Sequence, residues 1–140
     1  MLISLLVLVS CIDVYKRVIP NTLNLLIFIV TLTLAAFADD TNWSEVSVRF
    51  LALSIPLITL YIGGFVGAGD VKLIFALQPV IPSSALISFA IYTVSLGALL
   101  AVMILIYIAK APAAHHRTVP YGVAISGAIF ILAAQGKLLI

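Results

Sequence analysis

Gly63-Gly64-Phe65-Val66-Gly67-Ala68-Gly69-Asp70-Val71-Lys72 sets four glycines and a carboxylate in the middle of an otherwise very apolar chain. Glycine lets the main chain turn tightly and approach a neighbour closely, so the Gly67-Ala68-Gly69-Asp70 run presents an acid on a tight turn. The apolar run from Val71 to Leu77 follows at once. That order predicts Asp70 in the first turn of a helix, where the dipole favours its ionised form. Two readings of Asp70 stay open at this point: a cap that closes a loop, or an acid placed for chemistry.

The flanks of this loop decide the solvent. Of 140 residues, 64% are hydrophobic and 9% charged, and the mean hydropathy is +1.33, far from the roughly one-quarter charged composition of soluble domains. The apolar runs are continuous rather than alternating, which points to helices and away from a β-barrel. The expected fold is all-α, a polytopic transmembrane helical bundle forming a single membrane-embedded domain over residues 1–140, with the lipid bilayer around it. The net charge of +2 gives no case for a nucleic-acid partner. The single cysteine, Cys11, excludes an internal disulfide and a four-cysteine zinc site and reads as a small packing residue.

Taken in order, the first apolar run, Met1 to Ile12, precedes Lys16 and Arg17. A signal peptide has the reverse order of charge and apolar core, so this segment is expected to be retained. A helix from Met1 to Arg17 would be roughly 25 Å long, near the lower limit for crossing the hydrocarbon core. Ile19-Pro20-Asn21 ends it. Further apolar runs cover Thr22 to Ala38, Val46 to Ile62 with Pro56 inside, Val71 to Ile81, Ala85 to Ala109 and Val119 to Ile140.

The fourth of these six runs is short, and charge placement bears on whether it crosses. If it does, there are about six spans, and Lys16, Arg17, Lys72, Lys110 and Arg117 share one side, which the positive-inside rule assigns to the cytoplasm. Both termini then lie outside. Arg49 and Lys137 are the exceptions, and both are expected to snorkel from span ends. Asp39, Asp40 and Glu45 fall in an outer loop, which leaves Asp13 and Asp70 at the cytoplasmic ends of their spans. Carboxylates at membrane depth are costly, so a catalytic pair is one reading. The other is two local ion pairs, Asp13 with Lys16 or Arg17 and Asp70 with Lys72 or its own helix terminus.

Asp13 followed by Ile19-Pro20-Asn21, together with Gly67-Ala68-Gly69-Asp70-Val71-Lys72-Leu73, resembles the type IV prepilin leader peptidases, membrane aspartic proteases of the Gly-x-Gly-Asp class. Thr118-Val119-Pro120-Tyr121-Gly122 resembles a third, weaker motif of that family. Larger members add an N-terminal N-methyltransferase region with a cysteine cluster; this chain, with Cys11 alone, is similar to the short peptidase-only type found with Tad or Flp pili. The resemblance implies Asp13 and Asp70 as the catalytic pair, with Pro20, Asn21, Gly67, Gly69 and Lys72 as supporting motif residues. It implies no cofactor and no metal. The implied substrate is a prepilin or pseudopilin, whose short basic leader is cut at the cytoplasmic face of the bacterial inner membrane. Two close aspartates share a proton, one activating water while the other polarises the scissile carbonyl.

Two other classes remain as alternatives: a preflagellin peptidase with the same chemistry, and a non-enzymatic transport or assembly subunit that uses the acids to bind a proton or cation. His115 and His116 are adjacent, about 100° apart on a helix, a poor metal pair and better read as a solvated basic loop. Asn21 and Asn24 both read as candidates for hydrogen bonding within the site, with helix capping the simpler reading of Asn21. Lys72 reads either as an interface lysine or as a charge that tunes Asp70.

Overall fold

The computed structural model describes residues 1–39, 41–110 and 119–139. Among these residues all regular structure is helical: α1 (Leu2–Lys16), α2 (Asn21–Phe37), α3 (Trp43–Ile62), α4 (Ala68–Leu77), α5 (Leu86–Lys110) and α6 (Tyr121–Ala134). Two short 3-10 turns, Gln78–Val80 and Ser83–Ala85, link α4 to α5. His115, His116, Arg117 and Asp40 lie outside the described residues, so the expectations for them are not addressed by this structure.

Burial divides the helices into an inner ring and an outer pair. α1 packs against α2 and α6, α2 against α4, and α4 against α6, which closes a ring of four. The seam of α1 is a single stripe, Leu2, Leu6, Val9 and Asp13, at the spacing of one helical face. α6 is the most enclosed: Ala124, Ile125, Ala128, Ile129 and Leu132 are all nearly inaccessible. Outside the ring, α3 packs on α4 and α5 packs on α6. Their outward faces carry Leu51, Ile55, Val94 and Leu105, all more than half exposed. Apolar surface of this extent belongs against lipid. α3 and the 83–109 stretch are long and apolar enough to cross a membrane.

Direction follows from the hydrogen bonds between helices. Asn24 Nδ2 donates to the Gly69 carbonyl at 3.4 Å, and Thr31 Oγ1 donates to the Ala76 carbonyl at 2.5 Å. Both numbers rise together along the two helices, so α2 and α4 run parallel. Arg49, near the start of α3, donates from Nη1 to the Ile81 carbonyl just beyond the end of α4, so α3 runs antiparallel to them. The Leu139 amide donates to the Val80 carbonyl at 2.9 Å, which brings the far end of α6 to the same level as Ile81. α4 and its 3-10 extension therefore reach from one end of the bundle to the other.

Three residues differ from their expected roles. Arg49 does not snorkel; it is buried and closes the carbonyl end of the turn after α4. Asn21 does not cap α2, because Pro20 holds the cap position and Asn21 is the first helical residue. Cys11 is exposed on α1 rather than packed inside, since the buried stripe of that helix passes through Val9 and Asp13 instead.

Candidate active site

The glycine loop is a defined helix ending. Gly64 takes φ +73°, its amide donates to the Tyr61 carbonyl, and the Phe65 amide donates to Leu60. This is the paired-bond closure in which a left-handed residue ends a helix, and glycine takes that conformation without a Cβ penalty. The chain then turns at Gly67, which caps α4, and Asp70 stands at the third position of the new helix. From there its carboxylate folds back onto the Gly67 amide, as an acid at that position does in a capping box. The expected first-turn placement of Asp70 is what the structure shows.

Asp13 reaches the same place from α1. It is the last member of the buried stripe and only 6% exposed. Its Oδ2 accepts the Gly122 amide at 2.7 Å, while the next amide, that of Val123, donates to the Pro120 carbonyl. Gly122 is needed there for space. A Cβ on it would lie 2.8 Å from Oδ2 and 3.1 Å from Cγ of Asp13, closer than unbonded heavy atoms sit.

The two carboxylates line one cavity of about 790 Å³. Around them stand Pro20 and Asn21 at the start of α2, Gly67 to Asp70 at the start of α4, and Val119 and Tyr121 at the start of α6. Three helix N-termini thus open onto the same space, and each brings a partial positive charge. Arg17 and Lys72 add two cations to the lining, and Phe65, 76% exposed, stands at the rim. Arg17 ends α1 in the left-handed region at φ 54° and acts electrostatically on Asp13. Lys72 Nζ donates to Asn21 Oδ1 at 2.8 Å, a bond that ties the starts of α2 and α4 together.

Asp70 lies ahead of the apolar part of its helix. Burial, then the charge of Asp13, pushes its carboxyl up from 3.8 to about 6, with the Gly67 amide opposing the shift. A group with that value holds a proton for part of the time near neutral pH. The arrangement offers what acid–base hydrolysis needs: two acids in one cavity, one of them readily protonated, and oriented donors around them. Among the described residues no group of three His, Cys, Asp or Glu side chains comes together to hold a metal ion.

Asp13, Asp70, Pro20, Asn21, Gly67, Gly69 and Lys72 all line this cavity, while Asn24 stands outside its lining and reaches it only through its bond to the Gly69 carbonyl. Gly122 was given no role of its own in the sequence, although it closes the Thr118-Val119-Pro120-Tyr121-Gly122 stretch that resembles a family motif. Pro120 adds a second local sign, a helix start whose amides require acceptors.

An apolar helical chain with two acids in one cavity is what the structure defines, and comparison with known families supplies the class, a peptidase. The type IV leader peptidase family matches residues 1–102, and the chain belongs to that family. The match includes α1 to α4 and both aspartates and ends before α6. Comparison with curated proteins and with solved structures finds no match.

Proposed function

We propose that this chain is a membrane aspartic endopeptidase that removes the leader of type IV prepilins or pseudopilins at the cytoplasmic face of the bacterial inner membrane. The observation that carries the reading is the meeting of Asp13 and Asp70 in one cavity at three helix N-termini, in a member of the type IV leader peptidase family. One aspartate takes a proton from water as the oxygen adds to the scissile carbonyl carbon. Its partner gives a proton to the carbonyl oxygen. As the tetrahedral intermediate collapses, the leaving nitrogen receives a proton and the peptide bond breaks. In this reading the inner ring and both outer helices cross the bilayer, six crossings in all, with the cavity on the cytoplasmic side.

The deciding experiment is single-turnover incubation of the purified chain with a prepilin in detergent, read by mass spectrometry. The expected product has lost its leader and keeps an unmethylated N-terminus when S-adenosylmethionine is supplied. Cleavage of a preflagellin and not of a prepilin would reassign the substrate, and cleavage of neither would remove the proposal. Topology is tested by introduced cysteines: one at Asn42 should react with an impermeant thiol reagent in intact cells, whereas one at Gly67 should be shielded.

A further inference from the structure

The two carboxylates are held differently. Asp13 accepts a short bond, 2.7 Å, from the Gly122 amide at the start of α6, a helix that comes to it from another part of the chain. Amides can only donate, and they bind an ionised oxygen better than a protonated one. Asp70 folds back only toward Gly67, the cap of its own helix, and its side chain is the more exposed of the two. The charged and titratable groups lining the space, among the described residues, are Arg17 from the end of α1, Lys72 from α4 and Tyr121 from α6, beside the two acids themselves. α2 contributes only uncharged Asn21, which accepts from Lys72. Arg17, the cation that acts on Asp13, adds to the asymmetry.

We infer that Asp13 is the ionised member of the pair and acts as the base, that Asp70 holds the proton and acts as the acid, and that Gly122 is the positioning residue that makes them unequal. This assignment rests on the dyad reading above and orders its steps. The Asp13 carboxylate takes a proton from water while the water oxygen bonds to the carbonyl carbon, and Asp70 gives its proton to the carbonyl oxygen. In the collapse, Asp13 returns its proton to the leaving nitrogen as the C–N bond breaks. Asp70 recovers a proton from the hydroxyl of the intermediate, so the pair ends as it began.

Two measurements test it. A small alkyl epoxide is opened by a carboxylate anion to give a hydroxy-ester. The full chain in detergent, treated at its pH optimum and mapped by mass spectrometry, should carry the ester on Asp13, although accessibility alone favours Asp70. An ester on Asp70, or none on Asp13, overturns the assignment. The second measurement is the pH dependence of kcat/KM for Gly122→Ala, whose Cβ displaces the Asp13 carboxylate from the Gly122 amide. The acidic limb should move up by about one pH unit; an unmoved limb in a folded, active variant overturns the assignment too. Should that variant fail to fold or turn over, the epoxide map on the unaltered chain decides alone. If the unaltered chain cleaves no prepilin yet takes the epoxide on Asp13, the peptidase reading fails and the ionisation order stands. Cleavage together with an ester on Asp70 gives the reverse.

Discussion

The two ends of the bundle treat polar groups in opposite ways. At the end of Asp13 and Asp70 the helix starts are spread around a cavity, and their amides face open space or an acid. At the other end the Ile81 carbonyl is closed by Arg49 and the Val80 carbonyl by the Leu139 amide. In an apolar surrounding an unpaired carbonyl costs several kcal/mol, and these two main-chain carbonyls are paired, although the buried Gln78 side chain beside them has no hydrogen-bond partner among the described residues. The difference separates reactivity from stability along one axis. Substitutions near the cavity should change chemistry, and substitutions at the far end should change folding.

The largest effect expected from that division is at the cavity. Asp13→Ala and Asp70→Ala should each lower single-turnover cleavage by at least about a thousandfold, and the double variant should lose little more, because members of one catalytic unit are non-additive. Near-normal turnover by either well-folded single variant would break the division at its reactive end. At the closed end, Arg49→Leu should lower stability by about 2 kcal/mol, the scale of a lost hydrogen bond from a charged donor to a buried carbonyl. Unfolding in denaturant reads this, and the pH dependence of the remaining activity should stay in place. A shifted profile would mean that the two ends are coupled.

A smaller effect sharpens the comparison within the cavity. The folded value of Asp70, about 6, lies above its ordinary 3.8, so the folded state binds the proton more tightly than the unfolded chain. Ionisation therefore works against folding: the penalty grows as pH rises from about 3.8 to about 6 and is fully present above that. Asp70→Asn should be inactive yet melt a few degrees higher than the unaltered chain at pH 8, with no such gain at pH 4. Equal melting points at both values would show that Asp70 carries no such strain. Smallest of all, Asp39→Ala and Glu45→Ala should alter stability by less than about 0.5 kcal/mol and leave cleavage unchanged, because they flank the loop before α3, away from the cavity.

Much of the site was legible because its residues are punctuated locally. Asp70 follows two glycines and opens an apolar run, and Asp13 extends the stripe of Leu2, Leu6 and Val9, so each could be placed on its helix from neighbouring residues alone. The residues that were misread are those whose partner comes from a distant helix. Arg49 resembled any basic residue near a span end until the Ile81 carbonyl was brought beside it. Asn21 has the side chain of a cap, but Pro20 before it takes the cap position and leaves its oxygen for Lys72, 51 residues away. Periodicity describes the face that a helix buries; it does not say which group will stand opposite a polar residue on that face. Gly122 is the extreme case, since nothing near it in the chain refers to Asp13.

That separation also orders events in time. Asp13 and Gly122 are 109 positions apart, so during synthesis from the N-terminus the acid leaves the ribosome early and its amide partner leaves it late. The pocket around the two aspartates lacks one wall until the last helix packs against the first. On the assignment made above, a chain still being synthesised carries both acids but has not yet set them apart as base and acid. The inequality of the pair then arrives only once α6 has packed against α1.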